Sequence, residues 1–180
     1  KRLQVEHIDI LFIHDPDQHY KQAINETYPV LAELRSQGIV KAIGAGMNQW
    51  EMPARFAREG DFDCFLLAGR YSLLDFSALP ELLPLCEKKG ISIVLGGAYN
   101  SGILASDLRE TDRLKFNYAD APPEIIEKAK LIKTVCDRHD VPLKAAALQF
   151  VMAHPAVATV IPGASAPERV EENFRMMQHV

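Results

Sequence analysis

The sequence predicts an α/β chain: the C-terminal part of a parallel (β/α)8 barrel, with about five strands and their helices present and the first three strands absent. Three observations predict it. Apolar strand-like runs alternate with helical segments, a pattern that implies parallel pairing through βαβ units. The chain has 180 residues, against ~250 for a complete barrel of this type. A histidine, His14, stands where the first apolar run ends, and the C-terminal ends of barrel strands are the chemical face. Residues 1–180 read as one domain, a partial barrel without its N-terminal strands. Lys1 opens the chain in what looks like the tail of a helix.

The elements follow in order. Ile8-Asp9-Ile10-Leu11-Phe12-Ile13 reads as a buried strand, ending at His14. A helix is predicted over 20–37, with Ile24, Tyr28, Leu31 and Leu34 at helical spacing and Gly38 as its left-handed stop. Residues 40–46 form the second strand, whose glycines let other backbone approach closely. A short helix over 52–59 tolerates Pro53 in its first turn. The third strand covers 62–68. Residues 79–89 are helical and close on Gly90. The fourth strand, 91–95, ends in Gly96-Gly97. Residues 98–121 are irregular, and connections of that length are often binding loops or lids. Pro122 and Pro123 open a helix to about residue 139, and a second runs over 144–154. The last strand is 157–161 and the last helix 166–177.

Composition excludes several function classes. Hydrophobic residues make up 48% of the chain and charged residues 24%, the balance of an ordinary soluble globular domain. A net charge of −4 without a basic cluster argues against nucleic acid as a partner. No apolar run approaches the ~20 residues of a membrane span. Residues 1–7 carry no apolar segment of the secretory kind. Cys64, Cys86 and Cys136 form no CxxC pair and read as buried free thiols in a reducing cytoplasm.

Three segments together resemble the aldo-keto reductase family. Ile8-Asp9-Ile10-Leu11-Phe12-Ile13-His14 is similar to the family's fourth barrel strand with its active-site histidine. Val40-Lys41-Ala42-Ile43-Gly44-Ala45-Gly46-Met47-Asn48 is similar to the fifth strand and its carboxamide-binding turn. Ile161-Pro162-Gly163, continued by Pro167-Glu168-Arg169-Val170-Glu171-Glu172-Asn173-Phe174, resembles the adenosine-end motif. The order and strand spacing of the three carry the resemblance, which runs over the whole chain. Leu66-Leu67-Ala68-Gly69-Arg70-Tyr71-Ser72-Leu73-Leu74 and Gly96-Gly97-Ala98-Tyr99-Asn100-Ser101-Gly102-Ile103-Leu104 resemble a bacterial branch of aldose 1-dehydrogenases, L-fucose dehydrogenases and pyridoxal 4-dehydrogenases. The resemblance implies an oxidoreductase that transfers hydride between a nicotinamide cofactor and a small sugar, or another small alcohol or aldehyde. The family's catalytic aspartate, tyrosine and lysine belong to earlier strands, so only the histidine carries over. The 180-residue chain alone is expected to be inactive.

The resemblance gives roles to particular residues. His14 would orient the substrate oxygen, since a neutral imidazole donates from one nitrogen while the other is held. A polar surface histidine is the plainer alternative. A metal site in His14-Asp15-Pro16-Asp17-Gln18-His19 lacks the further ligands that tetrahedral coordination needs. Met47 and Asn48 form the carboxamide turn, where the Asn48 amide both donates and accepts; ordinary turn chemistry is the alternative. Ala68 stands where the family places a glutamine for the same carboxamide. Gly96 and Gly97 stand where relatives carry a stacking aromatic, and Trp50, Tyr71 or Tyr99 would have to supply an aromatic wall. Backbone amides over 97–102, including those of Ser101 and Gly102, suit a pyrophosphate, or simply end a strand.

At the adenosine end, Pro162 is followed by Gly163 and Ala164 in place of a lysine and a hydroxyl residue. NAD is therefore expected over NADP, because a charge-assisted hydrogen bond worth ~1.5–3 kcal/mol is missing. Arg169 can stack on adenine, and Glu172 and Asn173 meet the adenine edge. A capped, solvated helix is the alternative for this segment. A different function class also fits: a non-catalytic nicotinamide-nucleotide-binding module or subunit of a larger complex. An unrelated barrel is the third reading. Open strand edges invite association between copies.

Overall fold

The computed structural model describes residues 4–179. The helix tail expected at the start would fall on 1–3, outside the described residues, and 4–7 are not helical. The elements run β1 (Ile8–His14), α1 (Tyr20–Gln22), a π-helical segment (Ala23–Thr27), α2 (Tyr28–Ser36), β2 (Val40–Met47), α3 (Glu51–Glu59), β3 (Cys64–Ala68), α4 (Leu82–Lys89) and β4 (Ser92–Gly96). A 3-10 turn (Ile103–Ala105), β5 (Lys115–Phe116), β6 (Ala119–Asp120), α5 (Pro123–Arg138), α6 (Leu143–Met152), β7 (Val157–Ile161) and α7 (Pro167–Met177) follow.

Five strands form one sheet in the order β1-β2-β3-β4-β7. Every pairing in it is parallel, so all five C-terminal ends lie along one edge. The alternation of apolar runs and helices thus yields the βαβ architecture that its periodicity requires.

The two faces of the sheet differ. Ile43, Ala45, Met47, Phe65, Leu67, Ile93 and Leu95 are buried, and most of them join the core cluster that the helices complete. The opposite face holds Phe12, Gly44, Gly46, Leu66, Ala68 and Gly96 in mutual contact. A Cβ on Gly44 would strike the Cys64 carbonyl and lie 2.8 Å from the Phe12 ring, so glycine is required there for β2 to lie this close to its neighbours. Among the described residues no helix covers this second face. Ile10 is consequently 46% exposed and Ile161 48% exposed. The expectation of a buried first strand is corrected: among the described residues β1 is an edge strand, paired only with β2.

Two further corrections are local. The helix expected over 20–37 is interrupted by the π segment. Pro29 has no N–H to offer the Asn25 carbonyl, and the helix shifts register just upstream. The expected helix over 79–89 begins at Leu82, after turns around Pro80. Gly38 and Gly90 are left-handed, with φ of 73° and 71°, as their stop roles require. Cys64, Cys86 and Cys136 are buried free thiols. Burial pushes the Cys64 thiol up to about 11, with help from the Asp63 carboxylate, and the Cys86 thiol up to about 12.

Candidate functional site

The C-terminal edge of the sheet opens into a cleft of about 940 Å³, at the upper end of the ~300–1,000 Å³ typical of ligand sites. Leu66 and Ala68 of β3, Gly96 of β4 and Ile161 of β7 form its floor. The long segment after β4 and helices α6 and α7 form its walls.

Most sequence-selected residues meet here. Asn48, Gly96, Gly97, Ser101, Gly102, Pro162, Gly163, Ala164, Arg169, Glu172 and Asn173 all line the cleft. His14 and Met47 do not. His14 ends β1 opposite Gly46, on the same edge, but its side chain is 87% exposed and faces Asp15 at 3.6 Å. Met47 is buried in the main core, because alternation along β2 turns it to the helix-covered face and leaves Asn48 for the cleft. The aromatic wall is also narrower than expected. Tyr99 lines the cleft. Tyr71 instead packs against Phe150 at 5.2 Å and His154 at 5.9 Å between ring centroids, and Trp50 packs on the core beside α3.

The glycine-rich turn after β4 has a backbone reason. Gly97 has φ 68°, and a Cβ there would lie 2.9 Å from the Gly69 amide nitrogen. The Gly69 N–H donates to the Gly96 carbonyl at 3.1 Å, so the turns after β3 and β4 lie against each other. Asn100, Ser101 and Gly102 are successively left-handed, with φ of 44°, 57° and 97°. Backbone of this kind turns amides into a concavity suited to an anion. The Ser101 hydroxyl accepts from the Tyr118 N–H at 2.9 Å, tying this turn to the β5–β6 hairpin. Asn117 and Tyr118 form that hairpin's turn, both with positive φ, as a two-residue type I′ turn demands.

Several polar partners in the cleft have no local signal in the sequence. Arg70 donates from Nε to the Asn48 carbonyl at 2.8 Å and from Nη1 to Asp75 at 3.0 Å and Asn117 at 3.2 Å. Burial alone would raise the Asp75 carboxyl, but hydrogen bonds from Ser77 and Arg70 bring it below the usual carboxylate range. Lys144 of α6 reaches Glu172 of α7 at 2.5 Å. The Tyr99 hydroxyl donates to Asn173 Oδ1 at 2.8 Å. Asn100 is 2% exposed; its Nδ2 donates to the Gly69 carbonyl at 3.4 Å, while its buried Oδ1 has no partner among the described residues. An unpaired carbonyl oxygen in a cleft wall is costly without a ligand or water to satisfy it. Among the described residues no group of three or more His, Cys, Asp or Glu is placed to hold a metal ion, and no helix is long and apolar enough to cross a membrane.

Comparison with known proteins places the chain in a family. A family model described as the aldo/keto reductase family matches residues 1–180. The chain is 41% identical over 183 residues to a pyridoxal 4-dehydrogenase of Microbacterium luteolum, covering 96% of this chain and 53% of that protein. It is 37% identical over 174 residues to a D-threo-aldose 1-dehydrogenase of a Pseudomonas species, covering 96% of this chain and 53% of that protein. An aldo-keto reductase from Bacillus halodurans in its apo form superposes with a TM-score of 0.80 at 25% identity, over 99% of this chain and 59% of that one. The chain spans about half the length of the curated relatives it matches.

Proposed function

The chain belongs to the aldo/keto reductase family, and from that premise we propose that it forms the cofactor-binding part of an NAD-linked oxidoreductase. The substrate class is a small sugar, or another small alcohol or aldehyde. The observation that carries the reading is the single cleft in which Asn48, the 97–102 turn and the 162–173 segment face one another. The residues fit a dinucleotide. The buried Asn100 oxygen is a polar demand in the wall that the described residues leave unmet, and nothing lies within 4 Å of where a Cβ on Gly102 or Gly163 would sit, so the cleft is open at both.

When bound, a nicotinamide supplies the hydride acceptor or donor for the reaction. The chain's own residues do the rest of the work on this side of the site. Asn48 presents an amide that holds a carboxamide by donating and accepting, and Arg70 fixes its backbone. The left-handed turn over 100–102 offers amides to a diphosphate. Arg169 gives a guanidinium face for adenine. His14 donates a hydrogen bond to the substrate oxygen from the adjoining strand end. The proton-transfer groups belong to the rest of the barrel, so the 180-residue chain by itself turns over no substrate. The three buried free thiols favour work in the cytoplasm.

A second reading, a nucleotide-binding module without catalysis, is favoured by one observation: the His14 side chain lies exposed outside the cleft. Binding and turnover separate the two readings. Fluorescence titration of the whole protein with NADH and NADPH should give tighter binding of NADH, and Gly163→Lys with Ala164→Ser should reverse part of that preference. Absence of binding to either nucleotide would end both readings, whereas binding without oxidation of any aldose or alcohol would favour the module.

A further inference from the structure

The outer side of α5 carries two large apolar side chains that the core does not use. Leu131 is 68% exposed and Val135 55% exposed. On the opposite side of the helix Ala129 and Cys136 are buried in the core, with Ile125 and Ile132 packed against it. At about 3.6 residues per turn, Glu124, Glu127, Leu131, Thr134, Val135 and Arg138 share one stripe, and all of them are exposed. The stripe begins acidic and ends basic. Glu127 pairs with Lys130 at 3.5 Å, but among the described residues neither Glu124 nor Arg138 has an ion-pair partner. Each charge suits the helix dipole at its own end, which accounts for their signs but not for the apolar pair between them. On the flank, Lys128 donates to the Leu74 carbonyl at 2.8 Å and lies 5.0 Å from the centre of the Phe76 ring. The half-exposed Phe76 thus extends the apolar patch beyond the helix.

We propose that this stripe is a self-complementary interface: α5 of a second copy of the protein packs on it antiparallel, about a two-fold axis at Leu131. Glu124 and Arg138 each lie seven residues from Leu131. The two-fold therefore sets Glu124 of one copy against Arg138 of the other, and the same contact recurs on the far side of the axis. Leu131 meets its own copy, and Val135 covers the stem of Glu127. A parallel pairing would place Glu124 on Glu124 and Arg138 on Arg138, so the charge pattern selects the antiparallel one. The stripe lies on the outer side of the helix layer, a different surface from the uncovered sheet face that carries Ile10 and Ile161. One helix pair is smaller than the ~1,200 Å² of a standard interface, so the dimer is weak and dependent on concentration.

Sedimentation of the whole protein over a range of concentrations tests the proposal, and it should show a monomer–dimer equilibrium. Glu124→Arg and Arg138→Glu should each weaken the dimer at least about tenfold, because two symmetry-related attractions become repulsions. Mixing those two variants should restore dimers, since an all-basic stripe then faces an all-acidic one, and added salt should weaken the mixed pair. Charges that serve only the ends of their own helix would give no such rescue. Leu131→Lys should weaken association by at least about tenfold, as two ammonium groups then meet on the axis. If a charge variant fails to fold, the exposed Leu131→Lys still decides. A whole protein that is monomeric at every concentration, a dimer that Leu131→Lys leaves intact, or two charge variants that dissociate and do not re-pair on mixing would each overturn the proposal.

Discussion

The Tyr99 hydroxyl donates to the Asn173 side-chain oxygen at 2.8 Å, joining the turn after β4 to α7 across the cleft. Among the described residues the Asn173 Nδ2 hydrogens have no partner, and Asn173 lines the cleft. Burial, with the Glu172 carboxylate nearby, pushes the Tyr99 phenol up to about 12, so it remains a donor at any working pH. Tyr99→Phe should weaken dinucleotide binding roughly 2- to 10-fold, the worth of one neutral hydrogen bond, without lowering the melting temperature by more than a few degrees. Unchanged affinity in a fluorescence titration would show that Asn173 needs no such anchor.

His14 stands at the strand end but outside the cleft. In the whole protein, His14→Ala should lower kcat/KM by about 10²–10³, the usual loss when an aligned donor to a reacting oxygen is removed. NADH affinity should stay within error. Steady-state kinetics and a parallel titration check both halves, and wild-type kinetics would place His14 outside the chemistry.

Gly97 combines φ 68° with backbone 2.9 Å from its missing Cβ. Gly97→Ala should cost about 1–3 kcal/mol, read as a shift in the urea midpoint. It should also weaken nucleotide binding, because Gly96, Gly97 and the 100–102 turn share one loop. A stable variant with full binding would contradict the close approach described for this turn.

Cys64 and Cys86 have ordinary thiol values of 9.0 that burial raises to about 11 and about 12. Their values are higher in the folded state, so their contribution to stability is complete below about pH 9 and is lost as pH rises toward 11 and 12. Urea midpoints should fall as pH rises from about 9 toward 11, and Cys86→Ala should flatten that fall. Native protein at pH 8 should react slowly with a thiol reagent. Rapid labelling of all three thiols would contradict their burial.

The half-exposed Ile10 and Ile161 lie on the two edge strands of an open sheet. The 180-residue chain on its own should therefore self-associate and show no NAD-dependent oxidation of aldoses. Light scattering after size exclusion should show species larger than a monomer, and Ile10→Lys should reduce them. A monomer with a cooperative melt and turnover would remove the argument from open edges.

The sheet is legible in the sequence because it is written in period: each apolar run between helices is a strand, and the run 157–161 matches β7 at its observed limits, Val157–Ile161. The cleft is legible to the extent that it is backbone, as at Gly96-Gly97 and the segment from Pro162 to Asn173. Partnerships across the chain are not. Nothing in the neighbourhood of Lys144 announces Glu172, 28 residues on, and nothing near Arg70 announces Asn117, 47 residues on. Met47 and Tyr71 escape a sequence reading for a different reason. Which way a side chain turns at a strand end, or in the loop beyond it, depends on the facing layer, which only tertiary packing supplies.

Arg70 holds the Asn48 backbone carbonyl, the Asp75 carboxylate and the Asn117 side-chain oxygen with one guanidinium. The turn after β2, the turn after β3 and the β5–β6 hairpin are thereby spliced at a single knot. Asn117 and Tyr118 line the same cleft, so a ligand that steadies Asn48 should steady the hairpin turn as well, and loosening the hairpin should slacken the grip on that ligand. Slower amide exchange around Asn117 and Tyr118 on adding nucleotide would make that coupling audible.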